Sequence, residues 1–181
     1  AMCLSLVGSE MCIRDRQSRV MEKKMKIGFI GLGNVGSKLS GSLLRNGFDL
    51  SVYDLSSQLM VDFAKKGAKI GENPEHLMNV CDTIITCLPS PAASNMVMQT
   101  MLPFVKEGKT WLEMSTTDGA EVKRLGTEVI SRGGKAVDCP VSGGCHRADT
   151  GNISIFAGCD RATFEIILPL LTTMGLSLIH I

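Results

Sequence analysis

From residue 26 to residue 157 the chain alternates short runs of β-branched and other apolar residues with longer amphipathic stretches. That alternation restricts it to strand–helix–strand units wound into a parallel sheet. Parallel strands are buried on both faces, so they read as continuous apolar runs and not as an in-out alternation. The pattern predicts strands at 26–30, 49–53, 68–70, 83–87, 110–113, 135–138 and 153–157. Helices are predicted at 35–46, with Val35, Leu39, Leu43 and Leu44 on one side, and at 58–66, 92–101, 119–132 and 161–174. Pro169 is a candidate kink in the last of these, because a proline removes one helical hydrogen bond. Gly47, Gly67 and Gly133 stand where helix C-caps belong. Met96, Met98 and Met101 are read as adaptable core packing, with no contact to a ligand.

Composition narrows the class further. A chain of 181 residues, 44% hydrophobic and 20% charged, is globular and large enough for one domain with its own core. Nineteen basic against eighteen acidic side chains give a net charge of +1 with no long run of one sign, which provides no electrostatic basis for nucleic-acid or anionic-membrane partners. No apolar stretch approaches the roughly 18 to 20 residues of a membrane span. Seven cysteines, Cys3, Cys12, Cys81, Cys87, Cys139, Cys145 and Cys159, form no CxxC pair, so a reducing, cytoplasmic location is expected.

The two ends do not share the pattern. Residues 1–16, AMCLSLVGSEMCIRDR, have neither helical nor strand periodicity and no basic start ahead of the apolar run, which makes a poor signal peptide. They look like translated adapter DNA, and residues 176–181, LSLIHI, share Leu-Ser-Leu with them. The expectation is a non-native extension over 1–20, a domain over 21–175 and a non-native tail over 176–181, the alternative being natural termini. Both flanks are left out of the fold reading.

The segment KIGFIGLGNVGSKL places Gly31, Gly33 and Gly36 as G-x-G-x-x-G after a strand and at the opening of a helix. Gly31 permits the tight turn, Gly33 lets the backbone approach a pyrophosphate, and Gly36 allows close packing of helix on strand. Leu32, Asn34 and Val35 fill the loop and offer backbone contacts. The helix N-terminus favours an anion through its free N–H groups and its dipole, without any lysine. Asp54, after the second strand in VYDLS, suits a carboxylate that accepts from the adenosine ribose hydroxyls and repels a 2'-phosphate. NAD is therefore the expected cofactor, with NADP as the alternative. The plainer reading makes Asp54 a turn or N-cap residue and the loop a structural connection. The fold expected is α/β, a Rossmann-type doubly wound, mostly parallel sheet.

Further along stand TCLPSP after the fourth strand, EMSTT after the fifth, DCPVSGG after the sixth, and ADTGNISIFAGC beyond it. With GFIGLGNVG, these segments resemble the β-hydroxyacid dehydrogenases over residues 26–175. The resemblance implies that Leu88 and Pro89 line the adenosine side of the cofactor and that Ser115 and Thr116 lie near its ribose and nicotinamide end. It assigns Ser142, Gly143 and Gly144 to the substrate carboxylate. Read without it, LPSP is a proline-stabilised turn before a helix, Ser115 or Thr116 a helix N-cap, and SGG a two-glycine turn able to form a small anion nest. Cys139 stands where alanine is commonest in that family, a small-for-small change.

The loop CHRADTGNISIFAG lacks the phosphate-sugar pattern of 6-phosphogluconate dehydrogenases, so a small hydroxy acid is expected, 3-hydroxyisobutyrate first and tartronate semialdehyde second. The family's general acid–base lysine, its partner asparagine and the all-helical second domain through which such enzymes form oligomers are expected beyond this chain, in which no lysine follows Lys135. The chain alone is thus expected to bind nucleotide without turning substrate over. A Ser-His-Asp set from Asp138, Ser142 and His146 lacks the G-x-S-x-G elbow, and Cys139, Cys145, His146 and Cys159 lack zinc-ligand spacing. A catalytically dead binding module is the other class of reading.

Overall fold

The computed structural model describes residues 25–181, so the expectation for residues 1–20 lies outside them. Six strands form one sheet: β1 (Lys26–Ile30), β2 (Asp49–Tyr53), β3 (Lys69–Ile70), β4 (Thr83–Thr86), β5 (Thr110–Glu113) and β6 (Lys135–Asp138). Their order is β3-β2-β1-β4-β5-β6, and every pairing is parallel. This is the doubly wound arrangement expected, with the strand order reversing between β1 and β4. The register aligns the carboxyl ends, since Ile30 lies opposite both Tyr53 and Thr86, and Glu113 lies opposite both Thr86 and Asp138.

The crossovers are helical: α1 (Gly36–Arg45), α2 (Ser57–Lys65), α3 (Pro74–Val80), α4 (Pro91–Met101) and α5 (Gly119–Ser131). Alternate residues of each strand feed two cores, one on each face of the sheet. Ile27, Phe29, Ile85 and Leu112 pack with Leu39 and Leu43 of α1 and Phe63 of α2. Ile30, Ile84 and Trp111 pack on the opposite face with Leu77 of α3, Met98 and Met101 of α4, and Leu125 and Val129 of α5. Gly47, Gly67 and Gly133 follow α1, α2 and α5 with φ of 79°, 104° and 83°, the left-handed backbone a C-terminal glycine supplies.

Several details depart from the sequence reading. Met96 is 71% exposed and is no core residue, because it sits on the face of α4 turned away from the sheet, while Met98 and Met101 are buried. Val35 stands just before α1, which no side chain caps, and not within the helix. Helix α3 was not anticipated, although Asn73 accepts from the His76 N–H and Pro74 occupies the first turn.

A second sheet of three strands, β7 (Val141–Ser142), β8 (Ser154–Ala157) and β9 (Ser177–His180), joins the first through an antiparallel bridge between Asp138 and Gly158. β7 runs antiparallel to β8 and β9 parallel to it. Strand β9 lies within the segment left out of the fold reading. His180 stacks on Phe164 with ring centroids 4.2 Å apart, and its Nε2 is 2.9 Å from the Cys159 carbonyl. The short helix α6 (Gly144–Asp149) follows β7, and α7 (Arg161–Met174) continues through Pro169 while burying Phe164, Ile167, Leu170, Leu171 and Met174. Among the described residues, no helix is long and apolar enough to cross a membrane.

Candidate functional site

The glycine loop lies at the carboxyl end of β1. Gly31 has a φ of 97°, and a methyl group there would run into the Cys87 carbonyl at the end of β4. A methyl at Gly36 would run into the Gly31 carbonyl, so these two glycines let the strand, the turn and α1 pack together. Gly33 differs from both. Nothing lies within 4 Å of a Cβ built on it, and the residue is exposed beside Asn34. Val35 is half-buried, and no side chain caps the N-terminus of α1. An open glycine beside an uncapped helix end fits a pyrophosphate that takes its hydrogen bonds from the backbone.

Asp54 braces the loop. Its Oδ2 accepts from the Leu32 N–H at 2.6 Å, and its Oδ1 accepts from the Ser56 N–H at 2.8 Å. Leu32 is buried, and the Gly31 N–H donates to the Tyr53 carbonyl at 3.0 Å, so β2 holds the loop from below. The turn role of Asp54 is therefore real. A carboxylate offers about four acceptor sites, and these two amides leave capacity for further donors.

The ends of β4 and β5 carry the next part of the site. The Leu88 N–H donates to Ser115 Oγ at 2.7 Å, and the Ser115 N–H donates to Glu113 Oε1 at 2.9 Å. Ser115 is buried, Leu88 is half-buried, and Pro89 and Thr116 are exposed. Neither Ser115 nor Thr116 caps a helix, because Asp118 caps α5 by accepting from the Ala120 N–H. In LPSP the capping role is filled by Ser90, which accepts from the Ala93 N–H, with Pro91 in the first turn. Thr116 Oγ1 donates to the Val141 carbonyl at 3.1 Å, tying the β5 loop to the residue before Ser142.

Sequence reading missed the centre of this arrangement. Glu113 is fully buried, and its Oε2 accepts from the Thr86 hydroxyl at 3.1 Å. The Trp111 Nε1–H in turn donates to Thr86 Oγ1 at 2.8 Å. Burial pushes the Glu113 carboxyl up from the usual carboxylate range, against hydrogen bonds from Ser115 and Thr86 that pull it down. The available signal was an acidic residue ending the apolar strand TWLE in a sheet covered on both faces.

Ser142, Gly143 and Gly144 are exposed at the end of β7, where Ser142 pairs with Ser154. Gly143 and Gly144 have φ of 128° and 74°, backbone that glycine adopts and other residues rarely do. Arg147 packs over Gly143, and its side chain would meet a methyl placed there. No hydrogen bond joins Asp138, Ser142 and His146 among the described residues. Burial pushes the Asp138 carboxyl and the Cys139 thiol up, and the Cys87 thiol is pushed up to about 12 by burial and by Glu113. Among the described residues, no group of three or more His, Cys, Asp or Glu side chains is placed to hold a metal ion.

Comparison with known proteins decides the affiliation. Residues 26–181 match the family described as the NAD binding domain of 6-phosphogluconate dehydrogenase. The chain belongs to this NAD-binding family. Mitochondrial 3-hydroxyisobutyrate dehydrogenase of Rattus norvegicus is 34% identical over 166 residues, 90% of this chain and 50% of that protein. The cytokine-like nuclear factor N-PAC of Homo sapiens is 33% identical over 153 residues, 83% of this chain and 28% of that protein. The solved structure of Mycobacterium tuberculosis 3-hydroxyisobutyrate dehydrogenase with L-serine superposes with a TM-score of 0.81 at 25% identity, over 86% of this chain and 54% of that one. The chain thus spans about half the length of the dehydrogenases it matches. Its described residues form the α/β NAD-binding domain and no separate helical domain.

Proposed function

We propose that this chain is the cofactor-binding part of a dehydrogenase that moves a hydride between a small 3-hydroxy acid and NAD, with 3-hydroxyisobutyrate the first candidate. One observation carries the reading. A continuous seam of contacts crosses the carboxyl ends of the sheet, from Asp54 and Leu32 through Gly31, Cys87 and Leu88 to Ser115, Thr116 and Val141 beside Ser142. Ligands of open α/β sheets bind outside those ends, at the point where strand order reverses.

In this reading Gly31, Leu32, Gly33, Asn34, Val35 and Gly36 hold the pyrophosphate, and Asp54 holds the adenosine ribose. Leu88 and Pro89 cover the adenosine side, and Ser115 and Thr116 flank the nicotinamide end. Ser142, Gly143 and Gly144 receive the substrate carboxylate. NAD supplies the hydride acceptor, and the protein's part is to bind and orient it. Two relatives named as 3-hydroxyisobutyrate dehydrogenases support this substrate class. The binding-module reading has the N-PAC similarity in its favour, since that relative is named a nuclear factor. Both readings require nucleotide binding. They differ in turnover by the whole protein.

Titration of the purified chain with NADH and NADPH, followed by fluorescence, tests the cofactor assignment. NADH is expected to bind more tightly, and Asp54→Ala to weaken it about tenfold, the equivalent of roughly 1.4 kcal/mol. Equal or tighter binding of NADPH would overturn the role given to Asp54. No NADH is expected to form when the chain is mixed with NAD and 3-hydroxyisobutyrate, and measurable turnover would contradict the placement of the acid–base group outside these residues.

A further inference from the structure

We propose that Glu113 is a positioning residue whose buried carboxylate, acting from behind Ser115, favours the oxidised, positively charged nicotinamide over the reduced, neutral one. The proposal rests on the reading that Ser115 and Thr116 flank the nicotinamide end of the cofactor. Glu113 is fully buried, and the two groups that donate hydrogen bonds to its carboxyl are neutral. Ser115 donates its N–H to Oε1 at 2.9 Å, and the Thr86 hydroxyl donates to Oε2 at 3.1 Å. The Ser115 hydroxyl also favours its ionised form. Among the described residues no cation pairs with it. The other titratable groups that face it are the thiols of Cys87 at the end of β4 and Cys139 after β6, both pushed up by burial and therefore neutral.

An unpaired buried carboxylate is costly, and a site that keeps one invites a functional explanation. The neighbours are arranged to tolerate both of its states. Trp111 Nε1–H occupies one lone pair of Thr86 Oγ1, and the single Thr86 proton has two acceptors, Glu113 Oε2 at 3.1 Å and the Leu112 carbonyl at 3.3 Å. When Glu113 is ionised the hydroxyl turns to it. When Glu113 is protonated it donates to Thr86, which turns to Leu112. Ser115, fixed by Glu113 on one side and by Leu88 on the other, stands between this charge and the cofactor loop. Oxidised nicotinamide carries one positive charge and reduced nicotinamide none. A negative charge in a medium of low dielectric therefore separates the two forms while treating the shared adenosine and pyrophosphate alike.

Calorimetric titration of the chain and of Glu113→Gln with NAD and with NADH tests this. Glutamine keeps an acceptor for the Ser115 N–H and offers a donor to Thr86, imitating the protonated acid. The expected result is weaker NAD binding by about fivefold to tenfold, with NADH changed by less than about twofold. In the unmodified chain, the preference for NAD over NADH should fade as pH falls and Glu113 takes up its proton. Equal weakening of both nucleotides or a ratio independent of pH would overturn the proposal. If the unmodified chain bound neither nucleotide, the cofactor reading itself would fail, and the proposal with it.

Discussion

Gly31 and Gly33 stand two residues apart and do different work. Gly31 is held at a φ of 97° against the Cys87 carbonyl, whereas the space beside Gly33 is open. Gly31→Ala and Gly36→Ala should each cost roughly 1 to 3 kcal/mol, because the added methyl meets backbone that cannot swing aside. Urea denaturation would show this as a lower midpoint. Ser115→Ala removes the acceptor of the Leu88 N–H at 2.7 Å, and should cost about 1 to 3 kcal/mol on the same assay if that amide finds no other partner. The glycine loop was legible in the sequence because its demands are local: a turn, a close approach and a helix start within six residues. Glu113 was not, because its meaning depends on Thr86, 27 positions away in sequence and adjacent only across the β4–β5 ladder.

Helix boundaries follow from capping side chains. Asn73, Ser90, Asp118 and Asp160 each accept a backbone N–H at the start of α3, α4, α5 and α7. Hydrogen bonds from Thr163 hold the Asp160 carboxyl below its usual range. A carboxyl lowered on folding contributes stability above its unfolded pKa and loses it as pH falls through the folded pKa. Asp160→Ala should therefore lower the melting temperature at neutral pH, and the gap from the unmodified chain should close in acid. Calorimetry across that range would reveal it. The long helices and the central strands were readable from periodicity. Elements α3, β7 and β9, of seven, two and four residues, are too short to establish a period, and β9 was set aside with its flank. Pro169 does not end α7, because the buried stripe from Phe164 to Met174 holds the helix to the first core across it.

As a whole the molecule is a six-stranded parallel sheet with a core on each face, joined to a three-stranded sheet, and the residues proposed to bind the cofactor lie at the carboxyl ends of the larger sheet. Strand β9 pairs with β8 alone, in the smaller sheet, and is at most half-buried along its length. Truncation after Gly175 is expected to lower the melting temperature, by exposing Ile155 and Phe164, while changing NADH affinity less than about twofold. Titration of the shortened chain would check both. The doubly wound parallel architecture and the cofactor class were legible because such a fold repeats one sequence pattern, and because its loop motif lies at a fixed place in that pattern. Substrate choice was not, since the carboxylate-binding role proposed for Ser142, Gly143 and Gly144 would suit any small acid. The most direct test of the central claim, that this half-length chain is a folded dinucleotide-binding domain, is calorimetric titration of Gly33→Ala with NADH beside its melting curve. The account predicts an unchanged melting temperature, since nothing lies within 4 Å of the new methyl, and binding weakened by about tenfold or more because that methyl occupies the space kept for the pyrophosphate. Unchanged NADH affinity in a normally folded Gly33→Ala chain would contradict it.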